Sequence, residues 1–166
     1  MHLEQGTWMT AGLLTPDVAA EIDGAVLCWM ATSDDEGRPN VSPKEMFLVY
    51  DAERLLIAEI ASPRSMRNVR QNAQVCVSVL DIFLQRGHKM EGTCRIVSPE
   101  DADFEELSAP LQEMAGSFEV RHVFELTVTR LTPILAPSYV KHPERTEAYF
   151  RENAYQAYGV RPVDGQ

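Results

Sequence analysis

The sequence has no long apolar run. Its longest apolar stretches, such as residues 25–31, are far below the ~20 residues that a membrane-spanning helix requires. The first residues show no basic segment followed by an apolar one, so no signal peptide is predicted. We therefore expect no membrane partner.

Positive charge is also scarce. The chain carries 15 Lys and Arg against 25 Asp and Glu, a formal net charge of -10. This balance disfavours binding to DNA, RNA or anionic lipid. An anionic ligand would need a local basic pocket within an acidic surface.

Cysteines and histidines are few and widely spaced. An odd number of cysteines, Cys28, Cys76 and Cys94, argues against a disulfide framework and against a zinc site. The four histidines are scattered, and no metal site is predicted. Free cysteine is usually buried, so we expect three buried thiols in a reducing cytoplasm.

Nucleotide-binding glycine motifs are missing as well. Neither Rossmann-type glycine spacing nor a phosphate loop is present. The 166 residues contain 45% hydrophobic residues and no linker, repeat or low-complexity tract. They predict one domain over residues 1–166, with a barrel at about 20–135 and a helical tail at about 140–160.

What the sequence does contain is a series of strand-like runs joined by short turns. Such a series favours a mainly β (α+β) fold, an antiparallel barrel with a few peripheral helices, over a doubly wound sheet. Alternation in the last run predicts that Phe124 and Leu126 point inward and that Glu125 points outward. The six predicted strands are 25–33, 39–50, 55–60, 75–80, 87–97 and 118–131.

Three arginines recur at every third position after the third predicted strand. Arg64, Arg67 and Arg70 would line one side of a short helix that opens with Ser62 as a cap, and Ser65 adds a second hydroxyl. Amides, hydroxyls and guanidinium groups at a helix N-terminus form a natural phosphate site. The alternative is a solvated basic helix face. The spacing does not identify the molecule that carries the phosphate.

A second polar stretch interrupts the predicted strand 39–50. Alternation places Asn40, Ser42 and Lys44 on one face. That face could bind a polar heteroaromatic ring and its phosphate. A bulged edge strand with solvent-facing polar groups explains the pattern equally well, because Pro43 favours an edge.

Taken in order, these stretches resemble the pyridoxamine-phosphate-oxidase-like FMN-binding family. A strand ending Ala-Thr-Ser precedes an acidic Gly turn and Arg-Pro-Asn-Val-Ser-Pro-Lys. Leu-Leu-Ile-Ala, a Ser/Arg helix start, Asn-Val-Arg-Gln-Asn-Ala-Gln-Val-Cys-Val-Ser-Val and a Gly-containing strand at 89–97 follow. The resemblance covers residues 20 to 135.

The resemblance implies a six-stranded split barrel that forms a homodimer with FMN at each subunit interface. It implies that Lys44 contacts the flavin beside Asn40, Val41 and Ser42, and that the backbone of Ile60 and Ala61 lies along the isoalloxazine. It assigns Ser62, Arg64 and Ser65 to the FMN phosphate, with Arg67 as a further ligand. Arg86 and Lys89 would approach the flavin from the partner chain.

The implied function is an FMN-dependent oxidoreductase that acts on a small molecule. Two departures argue against pyridoxamine phosphate as its substrate. Gly87 stands where the oxidases usually have glutamine, and the last residues, 158–166, lack their Arg/His-rich motif. A non-catalytic flavin-binding or electron-carrying protein, and a relative that binds haem or a deazaflavin, remain alternatives.

Overall fold

The structure is a computed structural model that describes residues 12–163. The predicted single domain also includes residues 1–11 and 164–166, which lie outside the described residues. The strands are β1 (Cys28–Ser33), β2 (Pro39–Lys44), β3 (Phe47–Val49), β4 (Arg54–Glu59), β5 (Gln74–Asp81), β6 (Arg86–Val97) and β7 (His122–Leu135). The helices are α1 (Pro16–Asp23), α2 (Pro63–Gln71), α3 (Phe104–Ala115), α4 (Pro137–Lys141) and α5 (Glu147–Tyr158).

All seven strands form one antiparallel sheet in the order β2-β1-β5-β6-β7-β4-β3. The two edge strands, β2 and β3, are separated in sequence by only Glu45 and Met46. The sheet must therefore curl until its edges approach each other. The backbone amide of Ala58 on β4 donates to the carbonyl of Met46 at 2.9 Å. This confirms the predicted mainly β split barrel.

Residues 12–163 form seven strands, where six were predicted for the sequence. The predicted strand 39–50 is divided at Glu45 and Met46, because its first half pairs with β1 and its second half pairs with β4. Pro43 lies in β2, at the edge of the sheet, where a residue without an amide hydrogen is tolerated. The edge-strand interpretation of this proline is thus confirmed.

Two apolar clusters stabilise the fold. The first fills the barrel interior, where Met30, Val77, Met90 and Leu126 meet side chains from α1 and α2. The second lies on the outer side of the sheet, where Leu107 and Leu111 of α3 cover Leu56 and Val123. Strands β4 and β7 lie between the two clusters. The end of β4, after which α2 begins, is therefore packed on both faces and rigid.

Strand β7 has the side-chain directions that alternation predicted. Phe124, Leu126 and Val128 are buried in the barrel interior. Glu125 points to the outer side, where it pairs with Leu56, but it is buried there. Neighbouring strands supply its cations: Arg54 donates to one carboxylate oxygen at 2.9 Å and Arg95 to the other at 2.7 Å. Paired in this way, the carboxylate tolerates burial.

The ends of the described chain are helical. Thr15 caps α1 by accepting a hydrogen bond from the amide of Val18 at 3.5 Å, as its position before Pro16 predicted. At the other end, Tyr139 of α4 stacks on Phe150 of α5 with ring centroids 4.1 Å apart. The predicted helical tail is therefore present. None of the helices within residues 12–163 combines the length and apolar character that crossing a bilayer demands.

Candidate functional site

Helix α2 begins immediately after the buried end of β4. Ser62 occupies the N-cap position, but its hydroxyl makes no capping hydrogen bond. It donates to Glu59 Oε1 at 3.3 Å and accepts a short hydrogen bond from Lys44 Nζ. The amide of Ser62 donates to the same Glu59 oxygen at 2.6 Å. The predicted capping role of Ser62 is thus wrong, because a buried carboxylate takes its hydroxyl.

The missing cap leaves the start of α2 free for a ligand. The first backbone hydrogen bond of the helix runs from Met66 to Ser62, and the preceding amides of Arg64 and Ser65 have no acceptor within residues 12–163. Unsatisfied amides at a helix N-terminus carry partial positive charge and attract anions. By contrast, Thr15 and Thr146 cap α1 and α5 with their side chains.

The three arginines of α2 lie on its exposed side. Arg64, Arg67 and Arg70 are solvent-exposed, and none forms an ion pair with any described residue. Arginines of the sheet, such as Arg54 and Arg95, are each paired with carboxylates. In a strongly acidic protein, unpaired guanidinium groups beside free helix amides form a local positive region.

A hydrogen-bonded network fixes the buried side of α2 against the sheet. The amide nitrogen of Asn40 lies 3.2 Å from Thr32 Oγ1 and 3.3 Å from Ser65 Oγ. Asn68 also donates to Thr32 Oγ1, at 3.0 Å. Asn40 and Ser65 were predicted site residues, whereas Thr32 and Asn68 were not. Asn68 is three residues after Ser65, so a polar pair on one helix face was the signal that could have identified it.

Lys44 is withdrawn into the barrel mouth, with only 8% of its surface exposed. Its Nζ lies 5.2 Å from the centroid of the Phe124 ring, in a cation–π arrangement. Burial lowers the pKa of Lys44, and the nearby charge of Glu59 opposes this change. The ammonium is therefore held by a hydroxyl, an aromatic ring and a carboxylate, at the point where β2 ends.

Glu59 and His122 complete this cluster and were not predicted. Glu59 is only 5% exposed, and its second oxygen lies 3.5 Å from His122 Nδ1. The signal for Glu59 was a charged residue near the end of the otherwise apolar run 55–60. His122 gave no comparable signal, because its approach to Glu59 depends on the pairing of β4 with β7.

Four predicted residues lie around this centre without polar contacts to it. Val41 is 57% exposed on the outer side of β2, opposite the side that carries Asn40. Ser42 is half-buried and its hydroxyl is 3.5 Å from the carbonyl of Pro43. Ile60 packs against the apolar cluster under α3, and Ala61 is exposed.

Arg86 and Lys89 lie on β6, three strands away from β2 in the sheet. Lys89 pairs with Ser78, which pairs with Trp29, which pairs with Pro43. Three strand spacings place Lys89 roughly 14 Å from β2. Arg86 contacts Glu147 at 2.7 Å and Lys89 contacts Glu91 at 3.4 Å. Their role in a partner's site stays a prediction.

Known proteins share this fold. HupZ of Group A Streptococcus superposes with a TM-score of 0.64 at 23% identity, over 74% of this chain and 94% of that one. An FMN-binding protein of Syntrophomonas wolfei superposes with a TM-score of 0.61 at 12% identity, over 72% of this chain and 84% of that one. HutZ, the heme storage protein of Vibrio cholerae, superposes with a TM-score of 0.58 at 21% identity, over 72% of this chain and 93% of that one. These likenesses establish the fold alone.

Sequence comparison establishes the family. No curated protein matches the sequence. The family profile described as pyridoxamine 5'-phosphate oxidase, however, matches residues 14–134. This span contains all seven strands apart from the last residue of β7, and it contains α2 with its free N-terminus. The chain therefore belongs to the pyridoxamine 5'-phosphate oxidase family.

Proposed function

We propose that this protein is a cytoplasmic oxidoreductase that binds FMN and uses it to act on a small molecule. One observation carries the proposal: the amides of Arg64 and Ser65 at the start of α2 have no acceptor within residues 12–163, and the exposed guanidinium groups of the same helix have no ion-pair partner there. A phosphate monoester fits this arrangement because it carries about two negative charges and several acceptor oxygens. The family to which the chain belongs supports FMN as the owner of that phosphate.

Each side chain then has a definite role. The Arg64 and Ser65 amides and the Arg64 and Arg67 guanidinium groups would hold the phosphate. Lys44 would place its positive charge beside the ring system of the cofactor and stabilise negative charge there. Bound FMN supplies the electron transfer itself, and the protein contributes position, electrostatics and exclusion of water. No side chain is required as a general acid or base.

A second copy of the chain completes the proposed site. The outer side of β1, β2 and β5 presents Trp29, Val41 and Leu80, which are 48%, 57% and 40% exposed. Strand pairing places Trp29 next to Pro43 and Ser78 on that side, so these residues form one surface. An apolar surface on an uncovered sheet favours association. In such a homodimer, Arg86 and Lys89 of one chain would approach the cofactor of the other.

Pyridoxamine phosphate is not the substrate that we propose. Gly87 cannot supply the side-chain amide that the oxidases usually have near this position. It is buried, and a Cβ added to it would overlap the carbonyl oxygen of Val79 on β5. No side chain larger than hydrogen fits there while the β5–β6 pairing is kept. We therefore propose a different small molecule, bound against the exposed face of the flavin.

The visible absorption spectrum of the purified protein tests the cofactor. FMN, a deazaflavin and haem have distinct bands, so the spectrum distinguishes the three directly. Reconstitution with added FMN, followed by gel filtration, would give the stoichiometry, which we expect to be one FMN per chain. A protein that retains haem or a deazaflavin but no FMN would overturn the cofactor assignment.

Turnover then separates an enzyme from a carrier. Mixing the FMN-loaded protein with NADPH or NADH under anaerobic conditions should bleach the flavin band, and a small electron acceptor should restore it. If the flavin binds but is neither reduced nor reoxidised by small molecules at an appreciable rate, the protein is a non-catalytic flavin-binding protein. Reduction only by a protein donor would identify an electron carrier.

A further inference from the structure

Four side chains from different elements form one continuous polar chain in the barrel mouth. Lys44 of β2 donates to Ser62, and Ser62 donates to Glu59 of β4 at 3.3 Å. The second oxygen of Glu59 faces His122 of β7 at 3.5 Å. This Lys44–Ser62–Glu59–His122 network runs from the N-terminus of α2 to the start of β7.

The two oxygens of Glu59 have unequal partners. Oε1 receives the amide of Ser62 at 2.6 Å and the hydroxyl of Ser62, so its acceptor capacity is used. Oε2 faces only His122, whose Nδ1 is buried and has no hydrogen-bond partner within the described chain. An unpartnered buried nitrogen is costly. A small movement would let protonated Nδ1 donate to Oε2.

Solvent reaches the Lys44–Ser62–Glu59–His122 network from its His122 end. About a quarter of the His122 side chain is exposed, compared with 6% of the Glu59 side chain. Arg121 is exposed and contributes only its backbone amide, which donates to the carbonyl of Glu59 at 3.0 Å. The other titratable group facing Lys44 is Cys28 of β1, and burial raises the pKa of its thiol to about 12, so it remains neutral.

We propose that Glu59 is the positioning residue that keeps the Lys44 ammonium charged and directed at the ligand, and that His122 modulates Glu59 from the solvent side. A buried ammonium is stable only beside compensating charge. Glu59 is the only carboxylate in the described structure that contacts this cluster. The chain from His122 to Lys44 is therefore a route by which solvent pH reaches the cofactor side of the barrel. The role toward a flavin rests on the proposed function, whereas the role toward Lys44 does not.

Nuclear magnetic resonance of the cofactor-free protein tests the role toward Lys44. The chain has only three lysines, Lys44, Lys89 and Lys141, so their Cε signals can be followed individually through a pH titration. We expect the Lys44 midpoint to lie below the ordinary pKa of lysine, because burial lowers its pKa. In the Glu59→Gln variant it should fall by a further pH unit or more, because the compensating charge is gone. Glu113→Gln, an exposed change on α3, should leave it unmoved.

His122→Asn tests the solvent-side partner. We expect the Lys44 midpoint to differ between the wild type and His122→Asn, because the imidazole that faces Glu59 Oε2 is lost in the variant. This comparison holds even if Glu59→Gln fails to fold. An unchanged Lys44 midpoint in Glu59→Gln or in His122→Asn would overturn the proposed link from His122 through Glu59 to Lys44.

FMN affinity separates this inference from the proposed function. Between the Lys44 midpoint of Glu59→Gln and that of the wild type, Glu59→Gln should bind FMN about tenfold more weakly than the wild type, and Glu59→Asp should recover part of that loss. If the wild type does not bind FMN while the Lys44 midpoint still moves in Glu59→Gln, the proposed function is wrong, but the role of Glu59 toward Lys44 is confirmed. If FMN binds equally well to the wild type and to Glu59→Gln at every pH, Glu59 has no role toward the cofactor.

Discussion

The side-chain amide of Asn68 on α2 donates a hydrogen bond to the hydroxyl of Thr32 on β1 at 3.0 Å, and both residues are buried. The same hydroxyl accepts the amide of Asn40 at 3.2 Å. Thr32 thus joins the helix that carries the proposed phosphate site to the two strands beneath it. This buried oxygen therefore contributes to the orientation of α2, together with the packing of Met66 and Val69 in the barrel interior.

Loss of that oxygen should destabilise the protein and misplace α2. We expect Thr32→Val to lower the free energy of unfolding by about 1–3 kcal/mol, because the buried amide of Asn68 loses its acceptor and Asn40 loses one of its two. Asn68→Ala should lower the free energy of unfolding by a similar amount. Chemical denaturation measures both changes. Gln71→Ala, an exposed change on the same helix, should alter stability by less than about 0.5 kcal/mol.

Removal of the arginines at the start of α2 should weaken FMN binding sharply. A charge-assisted hydrogen bond contributes about 1.5–3 kcal/mol, so the Arg64→Ala, Arg67→Ala double variant should lose roughly a hundredfold in affinity or more. Fluorescence quenching of added FMN measures the dissociation constant.

Arg70→Ala provides the matched control. Arg70 is in the last turn of α2, about 9 Å along the helix axis from Arg64. A phosphate bound at the helix start predicts less than a threefold change for this variant. Equal losses for all three arginines would indicate nonspecific attraction to a basic surface, and unchanged affinity in the double variant would refute the phosphate assignment.

The three cysteines should differ in reactivity in the folded protein. Burial raises the pKa of Cys28 and of Cys94 to about 12, so only about one thiol in ten thousand is ionised at pH 8. Cys76 is half-buried on the outer side of β5. Cys76 lies on the surface proposed to associate with a second copy, so its reactivity should depend on whether that surface is covered. Alkylation at pH 8 followed by mass spectrometry should leave Cys28 and Cys94 unmodified and should modify Cys76 only in monomeric protein, and denaturant should make all three reactive.

The exposed tryptophan on the outer side of β1 should be needed for self-association. Trp29→Glu places a charge at the centre of the proposed dimer surface, where it would be desolvated without a partner. Gel filtration with light scattering should show a dimer for the wild type and a monomer for the variant. Val26→Glu, which precedes β1 at an 87% exposed position, should remain dimeric. A strictly monomeric wild type would contradict the shared site.

Gly92 should tolerate no side chain. It lies at the irregularity in the β6–β7 pairing, and a Cβ there would overlap the carbonyl oxygen of Thr127. Gly92→Ala should cost about 3 kcal/mol, since one of two central strands must move. Gly37→Ala is the informative comparison, because Gly37 has open space and a φ of 78°. Its cost should be about 1–2 kcal/mol. Thermal unfolding ranks the two variants.

Local patterns were sufficient for the elements and for part of the site. Thr15 before Pro16 predicted the start of α1, and alternation in β7 predicted that Phe124 and Leu126 are buried. The polar residues Asn40, Lys44, Ser62 and Ser65 stood out because they interrupt strand or helix patterns, and the structure brings them together. These inferences needed only the periodicity of the backbone and the chemistry of neighbouring residues.

The sequence by itself determined that the protein is an acidic, mainly β barrel with a basic helix after its third predicted strand. Tertiary structure alone decided that Glu59 takes the hydroxyl of Ser62 and leaves α2 uncapped. It also decided that Glu125 is buried between two arginines and that His122 reaches Glu59. The contacts of Glu125 and of His122 join strands that are distant in sequence, and the local contact of Glu59 with Ser62 is fixed by Lys44 of β2, which donates to the same hydroxyl. A pattern of local periodicity carries no information about which charged side chains will meet across a closed sheet.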